Sequence, residues 1–201
     1  MKHLKLILVI AIISFVTISC SDNNTPIVKP VEAKSVDNLH APAGGFGGKY
    51  TGPFAKFSFK TGGTVTDNSW DIAFRATEII VNGGVKGKLL EDIDRTGDAS
   101  MDLVSGVFSS IDMAPNALKQ DAADALAVAT GSGNGWYTYA GPPTHAITAT
   151  AGKVFVIKTI DGNYAKMEIL SYNKDKDLSK DGRYYSFKYV YNPNVGDKSL
   201  K

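Results

Sequence analysis

The chain has 201 residues, with 22 lysines and arginines against 20 aspartates and glutamates. This near balance argues against nucleic-acid binding, because proteins that bind nucleic acids need a basic surface. The single cysteine excludes an intrachain disulfide, and the length suits one sizeable hydrophobic core rather than two domains.

Residues 1–19 have the pattern of a targeting segment. Lys2 and Lys5 give it a basic start, and the apolar run over 6–16 is too short to span a bilayer as a mature helix. The sequence Thr-Ile-Ser-Cys over 17–20 matches a lipobox. We therefore expect residues 1–19 to be a lipoprotein signal peptide and Cys20 to be lipidated. An ordinary secretory signal with an incidental cysteine is the alternative. Removal of residues 1–19 leaves 20 basic and 20 acidic residues.

Residues 20–45 differ in composition from the rest of the chain. They are rich in small polar residues, contain three prolines and hold few large apolar side chains. Such a segment buries too little surface to offset the entropy lost on ordering, so a flexible tether after Cys20 is predicted, with His40 exposed to solvent. Residues 46–201 are predicted to form one β domain.

The clearest strand pair is predicted near the middle of the chain. Trp70, Ile72 and Phe74 alternate with smaller or polar residues over 69–75, which indicates a strand with one buried face. Residues 78–81 are apolar and mostly β-branched, and Asn-Gly-Gly at 82–84 allows the chain to reverse. These two segments are expected to lie at the centre of a sheet.

Further strands are predicted over 54–60, 154–160, 164–171 and 184–191. The Asp-Gly pair at 161–162 favours a type I′ hairpin between the second and third of them. In the last strand the aromatic residues alternate and share one face: Tyr185, Phe187, Tyr189 and Tyr191.

Two segments between the strands are predicted to form a loop and a short helix. The acidic residues over 87–100 lack the spacing of a calcium loop, so a solvated loop is expected there. Residues 116–129 follow Pro115, are rich in helix formers and precede Gly131, which favours the one possible helix. The chain is therefore predicted to be all-β, with antiparallel sheets and at most one short helix.

Two groups of motifs carry a family resemblance. Trp-Asp-Ile-Ala-Phe at 70–74, followed by Asn-Gly-Gly at 82–84, resembles the HmuY family of lipoproteins from Bacteroidetes-type bacteria. Gly-Trp at 135–136 with its aromatic strand, the Gly-Pro loop after it and the segments 153–156 and 161–166 follow the same family order. The resemblance runs from about Phe46 to the C-terminus. It implies antiparallel sheets whose long loops form a ligand cleft for haem.

The resemblance also implies two axial ligands to the haem iron, one before the Gly-Trp strand and one just after it. Met113 suits the first place, with Met101 as the alternative. The second place aligns with Ala140 or Gly141, which cannot bind iron, so His145 in the same loop is the substitute.

Other interpretations of these residues remain open. An exposed loop histidine is the alternative for His145, and gap filling beside Phe108 and Pro115 is the alternative for Met113. Two histidine ligands would require His40 to fold back onto the domain. Aromatic residues of the Gly-Trp strand are expected to stack on a porphyrin: Trp136, Tyr137 and Tyr139.

No catalytic or metal-binding motif is present in the sequence, so a protein that is not an enzyme, with no metal beyond haem iron, is expected. The leading hypothesis is a haemophore-like lipoprotein for iron acquisition. It would be anchored in the outer membrane at the cell surface, or released in soluble form, and would capture haem or a related porphyrin and deliver it to an outer-membrane receptor. The alternative is a family member without haem binding, acting as an adhesion or complex-forming surface lipoprotein.

Overall fold

The structure, a computed structural model, describes residues 27–201, so the predicted signal peptide and Cys20 lie outside the described residues. The described chain is all-β, as predicted, and contains two single 3-10 turns, Phe108–Ser110 and Lys174–Lys176. The strands are β1 (Glu32–His40), β2 (Gly44–Phe46), β3 (Lys49–Thr51), β4 (Ala55–Ser58), β5 (Gly63–Thr64), β6 (Ile72–Arg75), β7 (Glu78–Val81), β8 (Ser100–Ser105), β9 (Tyr137–Tyr139), β10 (Ile147–Ala149), β11 (Lys153–Lys158), β12 (Tyr164–Asn173) and β13 (Gly182–Asn192).

Two antiparallel sheets pack face to face around one core. The larger has the strand order β1-β13-β12-β11-β8 and the smaller has the order β5-β4-β6-β7. Residues directly opposite each other in neighbouring strands share a face, so Phe155, Met167 and Tyr189 point from the larger sheet into the core. Phe57, Phe74 and other side chains of the smaller sheet meet them there. The core is therefore the inner layer of a β-sandwich.

The alternating aromatic residues of β13 form the centre of this core, as predicted. Tyr185, Phe187, Tyr189 and Tyr191 are 0–5% exposed. Phe57 meets Phe187 and Tyr189 edge to face, at ring-centroid distances of 5.3 and 5.9 Å. Such contacts are the favoured aromatic geometry and add to the energy of burial.

The predicted central pair is confirmed as the hairpin β6–β7, but both of its faces are buried. Ile72 and Phe74 join the main core, whereas Trp70 packs on the other side of the sheet with Phe54 and Ile80. The prediction that Trp70 shares a face with Ile72 and Phe74 is wrong, because β6 begins only at Ile72 and its alternation does not extend back to Trp70.

The described part of the segment predicted as a tether, over 20–45, contains a strand. Residues 32–40 form the edge strand β1, which pairs with β13 from Glu32 opposite Tyr191 to His40 opposite Tyr184. Ala41 is fully buried. β1 is mostly polar and is held by main-chain hydrogen bonds to β13, and it adds Leu39 and Val36 to the edge of the core.

The helix predicted over 116–129 is absent from the structure. In this segment main-chain groups bond to the sheets instead of to the preceding helical turn: Lys119 pairs with Met101, and the N–H of Val85 donates to the carbonyl of Asp121. The segment covers the outer face of the smaller sheet, where Leu126 packs on the Trp70 cluster.

The acidic segment 87–100 is less solvated than predicted. The guanidinium of Arg95 is buried and contacts the carboxylates of Asp92 and Asp121, at 2.8 and 2.9 Å. Asp121 also accepts the main-chain N–H groups of Val81 and Ala127. These contacts fasten the covering segment to the edge of the sheet.

The hairpin β11–β12 forms as predicted, although its turn differs. Thr159 and Asn163 close a loop of three residues, and only Gly162 among these three has a positive φ, of 79°. A type I′ turn has two central residues and needs positive φ at both. The loop is therefore a three-residue hairpin loop whose last residue is a glycine in the left-handed region.

Candidate ligand-binding cleft

Two small ribbons extend from one end of the sandwich and face each other. One is β2–β3, whose turn contains Gly47 and Gly48, both at positive φ. The other is β9–β10, in which Tyr139 lies opposite Ile147. Their strands have only three residues each, so these ribbons rest on the sandwich rather than extending its sheets.

The space between the ribbons is a cleft of about 660 Å³, here called the His145 cleft. This volume lies in the range of small-molecule and cofactor sites. Its lining is mainly aromatic and aliphatic, with one imidazole and one guanidinium: Phe46, Gly47, Gly48, Tyr50, Ser132, Tyr137, Tyr139, His145, Ile147 and Arg183.

His145 is held in the cleft by the hairpin that carries it. Its Nδ1 contacts the hydroxyl of Tyr139, and its main-chain N–H donates to the carbonyl of Gly141. The φ of His145 is 51°, in the left-handed region that few side chains other than those of Asn, Asp and His adopt. The contact through Nδ1 leaves Nε2 as the ring nitrogen available to a ligand.

A second hollow of about 460 Å³ adjoins the His145 cleft and shares four of its lining residues. The shared residues are Phe46, Tyr50, Ile147 and Arg183. On its far side His40 stacks on Tyr184, with ring centroids 4.4 Å apart and planes 10° from parallel. The strand β1 thus brings His40 to the same end of the molecule as His145.

Arg183 stands between the two hollows and supports the β2–β3 ribbon. Its guanidinium donates to the main-chain carbonyls of Ala43 and Gly45. Burial raises the pKa of the nearby Tyr172 above its usual range, so this hydroxyl stays protonated and carries no charge into the second hollow.

Two hydrogen bonds from core aromatic side chains join the segments that carry the cleft residues Tyr137 and Arg183 to the β6–β7 hairpin. Trp136 Nε1 donates to the carbonyl of Thr77 at 3.2 Å, and the Tyr185 hydroxyl donates to the carbonyl of Ala76 at 2.6 Å. Thr77 and Ala76 form the turn of the β6–β7 hairpin. The cleft walls therefore rest on the central strand pair.

The predicted cleft aromatics divide into core and cleft residues. Trp136 is 3% exposed, belongs to the core and does not line the cleft. Tyr137 is buried but reaches the cleft, and Tyr139 is 43% exposed and lines it. Tyr137 and Tyr139 share one face of β9, with Tyr137 at the core end of that face and Tyr139 at its exposed end.

The two methionines predicted as ligands lie elsewhere. Met101 is fully buried in the core on β8, opposite Ile157, so it is not free to bind a ligand. Met113 is 56% exposed and pairs with Ser199 beside Ala114, in the segment that packs on the outer face of the larger sheet. Met113 is not among the residues that line the His145 cleft, so the structure does not bring it together with His145.

The sequence interpretation missed three residues of this end of the molecule, Phe46, Tyr50 and Arg183, and it placed the exposed His40 in the tether. The glycine-rich stretch 44–48 around an aromatic residue was the one available indication of a ligand-facing ribbon. Arg183 and Ala43 are 140 residues apart in the sequence, so only the fold brings them together.

Within residues 27–201 the structure contains no helix with the length and hydrophobicity that a membrane span requires. In the same range, no three His, Cys, Asp or Glu side chains group closely enough to hold a bare metal ion.

One comparison with a solved structure supports this fold. The crystal structure of an apo HmuY analogue from Tannerella forsythia has a TM-score of 0.51 to this chain at 17% identity, covering 84% of this chain and 100% of that one. A structure of a Bacteroides fragilis protein thought to be a lipoprotein has a TM-score of 0.45 to this chain at 12% identity. The match covers 82% of this chain and 90% of that one. No curated protein matches the sequence. A sequence model of the HmuY protein family matches residues 52–189, more than half of the sequence, and the chain therefore belongs to the HmuY family.

Proposed function

We propose that the protein binds haem in the His145 cleft. We further propose that it is a lipoprotein anchored through Cys20 in the outer membrane, which captures haem at the cell surface and delivers it to an outer-membrane receptor. The observation that carries the proposal is the position of His145 in an aromatic cleft beside Arg183. Family membership supports the same ligand.

The lining of the cleft suits the chemistry of haem. Haem is a flat apolar ring with a central iron and two carboxylates at one edge. Phe46, Tyr50, Tyr137 and Tyr139 offer aromatic surface for the ring, and the guanidinium of Arg183 is a partner for a carboxylate. Imidazole is a common ligand of haem iron.

His145 is the iron ligand that this cleft supports. A histidine that binds a metal usually forms a hydrogen bond through its other ring nitrogen, which fixes the orientation of the ring. The contact between Nδ1 and the Tyr139 hydroxyl has this role, and it leaves Nε2 for iron. Tyr139 is thus proposed to orient the ligand as well as to line the site.

Met113 has no such support, because it lies on the segment that covers the larger sheet and not in the cleft. The mixed Met113–His145 pair is therefore not retained in the proposal. If the protein supplies a second ligand, His40 in the adjoining hollow is the candidate that remains.

The proposal is tested by titrating haem into residues 27–201 and recording the visible spectrum. We expect a saturable Soret shift at one equivalent for the wild type, at least a tenfold loss of affinity for His145→Ala, and no change for Met113→Ala. Met113 is the matched control because it is exposed and outside the cleft. A His40→Ala variant with a changed coordination spectrum would identify the second ligand.

A Soret shift that His145→Ala leaves unchanged would move the haem site elsewhere. The absence of any saturable shift would overturn haem binding and leave the adhesion or complex-forming function as the better account.

A further inference from the structure

The strand β1 connects two opposite ends of the domain. Glu32 at its start lies opposite Tyr191, near the end of β13, and His40 at its end lies opposite Tyr184, near the start of β13. We call the end around Lys29, Asp161 and Val195 the anchor pole. The end that carries the two hollows is the cleft pole.

The chain enters the domain at the anchor pole. The N–H of Lys29 donates to Oδ1 of Asn194 at 2.9 Å, and Nδ2 of Asn194 donates to the carbonyl of Lys29 at 2.8 Å. This pair of hydrogen bonds fixes Lys29 beside the turn that follows β13. The point from which the chain leads back to Cys20 is therefore set by the fold.

We propose that the lipidated protein attaches to its membrane through the anchor pole, so that the His145 cleft opens away from the lipid, toward the surrounding solution. This inference rests on the proposed anchoring at Cys20 and not on the identity of the ligand. Any ligand of the His145 cleft would then arrive from the aqueous side rather than from within the membrane.

The short segment between Cys20 and Lys29 favours this orientation over the inverted one, in which the cleft pole would face the lipid. Lys29 lies nine residues after Cys20, and such a segment spans at most about 32 Å when fully extended. The nine residues of β1 place His40 about 26 Å from Glu32. To bring the cleft pole to the lipid, the chain before Lys29 would have to run back along the whole domain. That path takes most of its maximum reach and leaves almost no conformational freedom.

The ribbons add to the distance that inversion requires. Phe46 and the β2–β3 ribbon lie on the His40 side of the sandwich, so they extend the cleft pole further from Lys29. The anchor pole can approach the headgroups without such an extended path.

The test uses the full mature chain with its lipid anchor, bound to phosphatidylcholine vesicles. Thr144→Cys at the cleft pole and Val195→Cys at the anchor pole are each labelled with a fluorophore. Both positions are exposed, and in the lipidated chain that the test uses the thiol of Cys20 carries the lipid and does not react with the label. A quencher attached to lipid headgroups is expected to quench the label at 195 several-fold more than the label at 144. Iodide in solution should quench both labels.

Equal headgroup quenching of the two labels, or stronger quenching at 144, would overturn the orientation. Failure of the full chain to float with vesicles would overturn the anchoring and the orientation together. Haem titration of the unlabelled full chain gives a separate readout, so a failure of haem binding is distinguishable from a failure of orientation.

Discussion

The sandwich and the two cleft ribbons are held in place by different interactions. In the sandwich, long neighbouring strands bury aromatic side chains from both sheets, with Phe57, Phe187 and Tyr189 in mutual contact. The ribbons have short strands and rest on a few polar contacts, such as those of Arg183 with main-chain carbonyls and of Tyr139 with His145. The domain therefore owes its stability to the sandwich and its cleft to the ribbons.

Two phenylalanines, one in the sandwich and one in a ribbon, illustrate this difference with the same side chain. Phe187 is fully buried, whereas Phe46 is 85% exposed at the turn of the β2–β3 ribbon. Exposed apolar surface of this kind next to a cleft is typical of a binding site. The same substitution at the two positions should therefore separate stability from binding.

The largest effect is expected for Phe187→Ala. The substitution removes a ring that contacts Phe57, Phe74 and Tyr189, and it should lower the free energy of unfolding by about 3–5 kcal/mol. Urea denaturation measures the change, with Phe46→Ala as the matched control. A loss below about 1 kcal/mol for Phe187→Ala would show that the core is less closely packed than the structure indicates.

A buried ion pair links the sandwich to the base of a ribbon. Arg75 is fully buried, contacts Glu78 at 2.8 Å and donates to the carbonyl of Gly52 just after β3. Burial raises the pKa of Glu78, while Arg75 opposes that rise. Because Glu78→Gln leaves the guanidinium buried without a counter-charge, we expect a loss of about 3 kcal/mol in urea denaturation.

The control for Glu78→Gln is the same substitution at Glu32. Glu32 pairs with Lys34 on an exposed strand, and such pairs contribute about 0.5 kcal/mol or less. Equal losses for the two variants would contradict the assignment of a structural role to the buried pair.

The sequence predicted the sandwich better than the cleft for a physical reason. In β13 each aromatic residue is buried on one face, so the pattern of period two directly reports the core. The edge strand β1 has no such pattern, because main-chain bonds to β13 hold it in place. It was therefore interpreted as a tether, and the sequence could name His40 only as a residue that would have to fold back onto the domain.

The cleft could be predicted only in part. His145 and Tyr139 are close in sequence, and the structure brings these two candidates into contact in one cleft. The position of Met113 depends on its pairing with Ser199 near the end of the chain, which no local pattern reveals. Local sequence reports which residues alternate, whereas a cleft between ribbons depends on contacts between distant segments.

A buried acid at the anchor pole should make the sandwich pH-sensitive. Asp71 accepts the N–H groups of Phe59 and Ile160, and burial raises the pKa of its carboxyl to about 6. The folded state then binds the proton more tightly than the unfolded state does. The contribution of Asp71 to the free energy of unfolding is therefore greatest below about pH 4. It falls as the pH rises through 6, by roughly 3 kcal/mol at most.

Urea denaturation from pH 4 to 7 tests this linkage in wild type and Asp71→Asn. The wild type should lose unfolding free energy relative to the variant as pH rises. A wild type that gains stability relative to Asp71→Asn over this range would show that the carboxyl is acidic in the folded protein, held ionised by its two N–H donors.

The smallest effect on stability, and the sharpest on binding, is expected for Phe46→Ala. The ring is exposed, so its removal should change the free energy of unfolding by less than about 0.5 kcal/mol. If the His145 cleft binds haem, the lost aromatic contact should weaken binding about fivefold, the equivalent of about 1 kcal/mol. Haem titration measures this loss, and Val195→Ala, which removes an exposed apolar side chain at the opposite pole, is the control. An unchanged affinity for Phe46→Ala would show that the β2–β3 ribbon is not a wall of the occupied site, and would place the ligand against β9–β10 alone.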